Sequence, residues 1–143
     1  IRNKNEYGRL EMERFIEKHA LTAYQRNPYF PVNTVQIMRG AVLMGRQGRL
    51  LEYVDAVYRH MWEEGRKMDD GEVVAGALDE AGFDGAAILE GIQEQAVKDE
   101  LLANTTASVE RGTFGSPTFF VGDEIFFGKD RLGDVEEEIA RQT

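Results

Sequence analysis

Cysteine is absent from the 143 residues. That excludes disulfides, thiolate metal sites and a protein thiol nucleophile within the chain. Histidine is nearly absent: His19 and His60 are the only two. Neither has a second histidine or a spaced carboxylate that reads as a ligand set, so no metal site is expected. No apolar run approaches the length that spans a bilayer. Positive charge is also short, with 17 Lys and Arg against 26 Asp and Glu, a formal net charge of −9. That balance argues against a nucleic-acid partner and against an anionic membrane surface. It leaves room for a small anion, because nearby donors outweigh a distant, screened field. A Ser-His-Asp arrangement, a phosphate-cradling glycine loop and a zinc motif are missing as well.

What remains is a soluble, globular composition, 42% apolar and 30% charged, at a length that suits one domain or part of one. No signal peptide is seen, and a cytoplasmic setting is expected. The chain opens at Ile1 rather than at methionine, so further residues are expected upstream.

Helical periodicity dominates the first three quarters. A half-exposed helix is expected over about Asn5 to Lys18. An extended aromatic loop follows, Thr22 to Pro31, because each proline pushes its predecessor out of the helical region. Asn33, with Gln36 three residues on, reads as a capping box that opens the next helix. That helix places Val35, Met38, Ala41 and Val42 on one face and breaks at Gly48. Another runs from about Leu50 to Glu63, with Leu51, Val54, Tyr58, Met61 and Trp62 at helical spacing. Asp69 or Asp70 opens a short helix that ends near Gly82. Asp84 opens one more, and a longer helix reaches about Glu110.

The pattern changes at Gly112. Thr118–Val121 and Glu124–Phe127 are β-type runs joined by Gly122-Asp123, a two-residue hairpin loop. A last helix covers about Arg131 to Arg141. An isolated hairpin is marginal in water, and phenylalanines on both faces of this one suit a sheet buried on both sides. No other segment supplies further strands.

Few residues stand out as candidates for chemistry. Pro117 opens a strand, where no ladder donor is lost. Asp130 suits either a helix cap or a carboxylate that receives a ligand ammonium. Lys129 reads as a surface lysine or as an anion donor near a helix start. Asn33 is equally explained as a cap. Tyr24, Tyr29, Phe30, Trp62 and the methionines read as packing.

Two stretches together, NPYFPVNTVQIMRGA (Asn27 to Ala41) and ERGTFGSPTFFVGDEIFFGKDRL (Glu110 to Leu132), resemble the 2-hydroxychromene-2-carboxylate isomerases. These are relatives of the kappa-class glutathione transferases within the DsbA-like thioredoxin group. The resemblance implies an α/β chain: a thioredoxin-like fold with an inserted all-α domain, here lacking the N-terminal strand–helix–strand unit. Residues 1–111 would be the mostly helical insertion. Residues 112–143 would be the C-terminal hairpin and helix of the thioredoxin-like domain.

The same resemblance implies glutathione as a cofactor that is not consumed, with its thiolate adding reversibly to the substrate. A cis Pro117 would expose the backbone of Ser116 to the cysteinyl part of glutathione. Asp130 would meet the γ-glutamyl amino group. Lys129, where the family commonly has serine, would face the γ-glutamyl carboxylate. Asn33 matches an asparagine near the active site, on the side of an aromatic or conjugated carboxylate substrate. The catalytic serine of the family would lie outside this segment, so no catalytic residue is named. A homodimer is implied. A kappa-like transferase, a DsbA-like thiol-disulfide oxidoreductase and a non-catalytic binding protein are the alternatives.

Overall fold

The computed structural model describes residues 1–143, in which seven α-helices and two β-strands form. They are α1 (Arg2–Lys18), α2 (Val35–Arg46), α3 (Leu50–Trp62), α4 (Gly71–Glu80), α5 (Gly85–Gly91), α6 (Gln95–Glu110), β1 (Thr118–Val121), β2 (Glu124–Phe127) and α7 (Leu132–Gln142). No helix is long and apolar enough to cross a membrane. The chain divides into two compact units, residues 1–98 and 99–143, with the boundary falling inside α6.

In the first unit α2 packs on α3 and α5, and α4 packs on α3 and α5. The core is made of Ile37 and Met44 from α2, Tyr53, Val57 and Met61 from α3, Met68, and Val74 and Leu78 from α4. Phe83, Ile88 and Ile92 close it. The buried positions on α2 are Ile37, Gly40 and Met44, while Val35 and Met38 are exposed. On α3, Tyr53, Ala56, Val57, His60 and Met61 are buried, while Leu51 and Tyr58 are exposed. Of the residues expected to face inward, Met61 is in the core and Ala41 and Trp62 pack against it, whereas Val35, Met38, Leu51 and Tyr58 stay outside. A glycine shapes the α2 face. A Cβ on Gly40 would sit 2.0 Å from the Tyr53 hydroxyl, so the bare backbone lets the tyrosine in. That hydroxyl donates to the Ile37 carbonyl at 2.9 Å.

Helix starts follow the carboxylates. Asp70 caps α4 by accepting from Glu72 N, and Asp84 caps α5 by accepting from Ala87 N. At α2 the cap position is Thr34 rather than Asn33, and its side chain makes no cap bond. Asn33 instead closes a local turn, its Oδ1 accepting from Val35 N at 3.0 Å. The reciprocal half of a capping box is not formed, and Gln36 Nε2 has no partner.

In the second unit β1 and β2 pair antiparallel, with Thr118 opposite Phe127 and Val121 opposite Glu124. Gly122 turns the hairpin at φ +56° while Asp123 keeps a negative φ, as a type II′ turn requires. Helix α7 lies along β1. Arg111 holds the hairpin tip, donating to the Gly122 carbonyl and stacking 3.8 Å over the Phe120 ring. Glu138 is the one buried residue of this unit. Its carboxylate accepts from Arg141 and from Gln142.

Candidate functional site

The hairpin register brings four of the expected residues to one end of the second unit. Ser116 and Pro117 precede β1, and Lys129 and Asp130 follow β2. Pairing of Thr118 with Phe127 sets the two connections side by side. Gly128 N then donates to the Pro117 carbonyl at 2.9 Å, tying the proline to the residue before Lys129. The Ser116–Pro117 peptide bond is cis, as is Phe30–Pro31. Ser116 is exposed, and neither its N–H nor its carbonyl is hydrogen-bonded within the chain. Thr118 Oγ1 donates to the Gly115 carbonyl at 2.6 Å and holds the loop from the other side.

Asp130 does not cap α7. It lies in a short 3-10 turn, Lys129–Arg131, ahead of that helix. Its carboxylate is 76% exposed and accepts from Lys129 Nζ at 2.7 Å. The result is an exposed pair of opposite charges beside a free backbone amide and carbonyl. Such a set matches an α-amino acid zwitterion joined to a peptide unit: an acid for the ammonium, a cation for the carboxylate, and main-chain groups for the amide. Glutathione has those groups, so the residues present fit it.

Asn33 belongs to the first unit. Its N–H donates to Asp69 Oδ2 at 3.3 Å. Asp69 also pairs with Lys67, and the Asn33 amide and Lys67 together hold its carboxyl below the usual carboxylate range. Asn33 lines a polar recess of about 360 Å³ with Gln36, Arg39, Lys67 and Asp69.

A second, apolar cavity of about 220 Å³ opens between α2 and α3. Phe30, Met38, Ala41, Val54, Tyr58 and Trp62 are among its walls. Phe30 and Trp62, read from sequence as packing, meet with ring centroids 5.5 Å apart, and Phe30 stays 53% exposed. The signal was present in the sequence: Met38, Ala41, Val54, Tyr58 and Trp62 form the apolar stripes expected for the core.

His60 is not isolated, contrary to the sequence reading. Its Nδ1 lies 2.9 Å from Glu64 Oε2, and Glu80 stands close enough for three ligand-type atoms to fall within 4.8 Å. The missed signal is the four-residue spacing of His60 and Glu64 on a helical end. Arginines already engage these carboxylates. Arg66 bridges Glu64 and Glu80, and Arg59 reaches Glu64. Arg59 can only donate to His60 Nε2, so Nδ1 carries the proton toward Glu64.

A helix-rich chain with a short antiparallel hairpin and a proline-led β1 defines a class. The DSBA-like thioredoxin domain model matches residues 4–140, and the chain belongs to that family. Among individual proteins it is similar to the 2-hydroxychromene-2-carboxylate isomerase of Pseudomonas putida, 27% identical over 99% of this chain and 68% of the relative. The protein of the same name from Pseudomonas sp. (strain C18) is 28% identical over 95% of this chain and 63% of its own length. That from Sphingobium xenophagum is 34% identical over 59% of this chain and 43% of its own. A solved structure of selenomethionine 2-hydroxychromene-2-carboxylate isomerase superposes with a TM-score of 0.76 at 27% identity, covering 97% of this chain and 67% of that one. The chain thus spans about two thirds or less of the relatives it matches.

Proposed function

We propose that this protein is a glutathione-dependent isomerase acting on an aromatic or conjugated carboxylate of the 2-hydroxychromene-2-carboxylate type. The observation that carries the reading is the relatives' shared name across 95–99% of the chain. The clustering of Ser116, Pro117, Lys129 and Asp130 at one end of the hairpin adds to it.

Each residue has a task in this reading. The Ser116 amide and carbonyl pair with the cysteinyl backbone of glutathione as a short added strand. Asp130 accepts the γ-glutamyl ammonium, and Lys129 turns from Asp130 to the neighbouring carboxylate. When bound, glutathione supplies a thiolate that adds to the conjugated substrate and is expelled again. The reaction needs that thiol ionised near neutral pH, against an ordinary value of about 8.5. The reading assigns that activation to a serine outside these residues. Asn33 acts on the substrate side. We place the protein in the cytoplasm, as a homodimer.

The test is a glutathione titration of the full-length protein by calorimetry, with Asp130→Ala beside the wild type. Because Asp130 is exposed, about a three- to tenfold loss of affinity is expected. Unchanged affinity removes the proposed γ-glutamyl contact. Product analysis decides the reaction: an isomerase leaves the glutathione concentration unchanged, whereas a transferase consumes it.

A further inference from the structure

We infer that Phe127 is a positioning residue: its ring, seated on Gly115, holds the segment that presents the free backbone of Ser116. Phe127 ends β2, is 45% exposed and takes no part in the hydrophobic core, so packing of the interior does not account for it. What it touches is the connection ahead of β1. A Cβ added to Gly115 would lie 2.7 Å from Phe127 Cε2 and 3.2 Å from its Cζ, so the ring rests against bare backbone. The Phe114 ring meets it on the same stretch, with centroids 4.7 Å apart and planes tilted by 44°. Gly115 serves space and not conformation. Its φ lies outside the left-handed region that Gly112 and Gly128 occupy, at +104° and +99°.

The hairpin register explains why this ring and this loop meet. Phe127 and Thr118 are cross-strand partners, and directly opposed residues send their side chains to the same face. Both reach Gly115. Thr118 Oγ1 donates to its carbonyl at 2.6 Å, and the Phe127 ring closes on the side a Cβ would take. The loop therefore doubles back over one face of the hairpin.

Anchors stand on either side of Ser116. Before it, Thr113 Oγ1 and Ser108 Oγ lie 2.7 Å apart, and Gly115 is held as described. After it, the Pro117 carbonyl accepts from Gly128 N at 2.9 Å. Ser116 sits between them with its own N–H and carbonyl unused. Fixing the flanks in advance spares an incoming peptide backbone the cost of ordering the loop. Among these anchors the Phe127 ring alone acts by contact, so it can be removed without breaking a hydrogen bond. That the incoming backbone is glutathione's rests on the function proposed above; the hold of Phe127 on the loop does not.

Nitrogen relaxation and glutathione titration of the full-length protein form the test. In Phe127→Ala the order parameters of the Gly115 and Ser116 N–H groups should fall from about 0.85 to about 0.6 or lower, while circular dichroism stays native. Gly115→Ala, which drives the ring off its seat, should do the same. Phe127→Tyr, whose ring fits the same place, should keep the wild-type values. Calorimetry should show about a tenfold loss of glutathione affinity in Phe127→Ala, equal to about 1.4 kcal/mol, and none in Phe127→Tyr. In turnover the loss should appear in KM for glutathione, with kcat kept within about twofold, since Ser116 meets the tripeptide's backbone and not its sulfur. Should Phe127→Ala fail to fold, Phe127→Leu keeps apolar bulk without the flat ring, and lower order parameters are again expected. Unchanged order parameters in a folded variant overturn the inference. Wild-type glutathione affinity in a variant whose loop has loosened overturns it equally. A wild type that binds no glutathione sinks the proposed function alone, because the order parameters still decide the hold of Phe127.

Discussion

Asn27 is 2% exposed, and both polar atoms of its side chain are used. Its Nδ2 donates to the carbonyls of Met61 and Arg66, at 2.9 and 2.7 Å, and its Oδ1 accepts from Tyr29 N at 2.8 Å. One side chain therefore fastens the aromatic loop to the end of α3 and to the segment beyond it. Asn27→Ala leaves two carbonyls without these donors, that of Met61 in a buried place and that of Arg66 in a part-buried one. A loss of about 2–4 kcal/mol is expected, read as a lower urea midpoint. Asn27→Asp should be no milder, because a carboxylate oxygen would face those carbonyls. The sequence placed Asn27 inside a recognisable motif but gave no sign of this role, since its partners lie 34 and 39 residues away.

At the scale of elements, Arg66 ties the end of α3 to the end of α4. It donates to both oxygens of Glu80, at 3.0 and 2.6 Å, and pairs with Glu64 at 2.7 Å. The hydrogen bond from Arg66 is the largest influence on Glu80 and lowers its carboxyl below the ordinary 4.5. Burial alone would raise Glu64, but the bond from His60 and the charge of Arg66 outweigh it, and that carboxyl is lowered too. Carboxyls depressed in the fold stabilise it above their unfolded values and lose that contribution as pH falls through the folded ones. The stability gap between wild type and Arg66→Met should thus be present at pH 7. It should close as the pH drops below 4.5, in urea titrations at a series of pH values. Elements of this kind were unequally legible. The hairpin ends were readable to the residue, because Gly122-Asp123 fixes the turn and the turn fixes the register. The helical faces were not. Apolar residues spread over more than one face of α2 and α3, and the close approach of Tyr53 to Gly40, on another helix, is not visible in periodicity. At the candidate site, Ser116, Pro117, Lys129 and Asp130 could be named from their motif, whereas the cavity walls could not be separated from core by periodicity alone.

Across the whole molecule, burial is unevenly shared. Every residue of the hydrophobic core lies between Ile37 and Ile92, in the first unit. Within 99–143 no apolar side chain is buried, and β1 and β2 have only each other as strand partners. A lone hairpin of this kind is marginal, and local opening follows local burial. In the chain of residues 1–143, hairpin amides should exchange with deuterium at least about tenfold faster than those of α3 and α4, as read by mass spectrometry of fragments. Equal protection would contradict that ordering. Within the first unit, the seat of Tyr53 depends on one bare position. Gly40 acts as a spacer of zero width, letting a phenol ring serve as the gauge block between two helices. Any larger residue there would collide with that ring, so the fit of the two helices is set by an atom that is missing from residue 40.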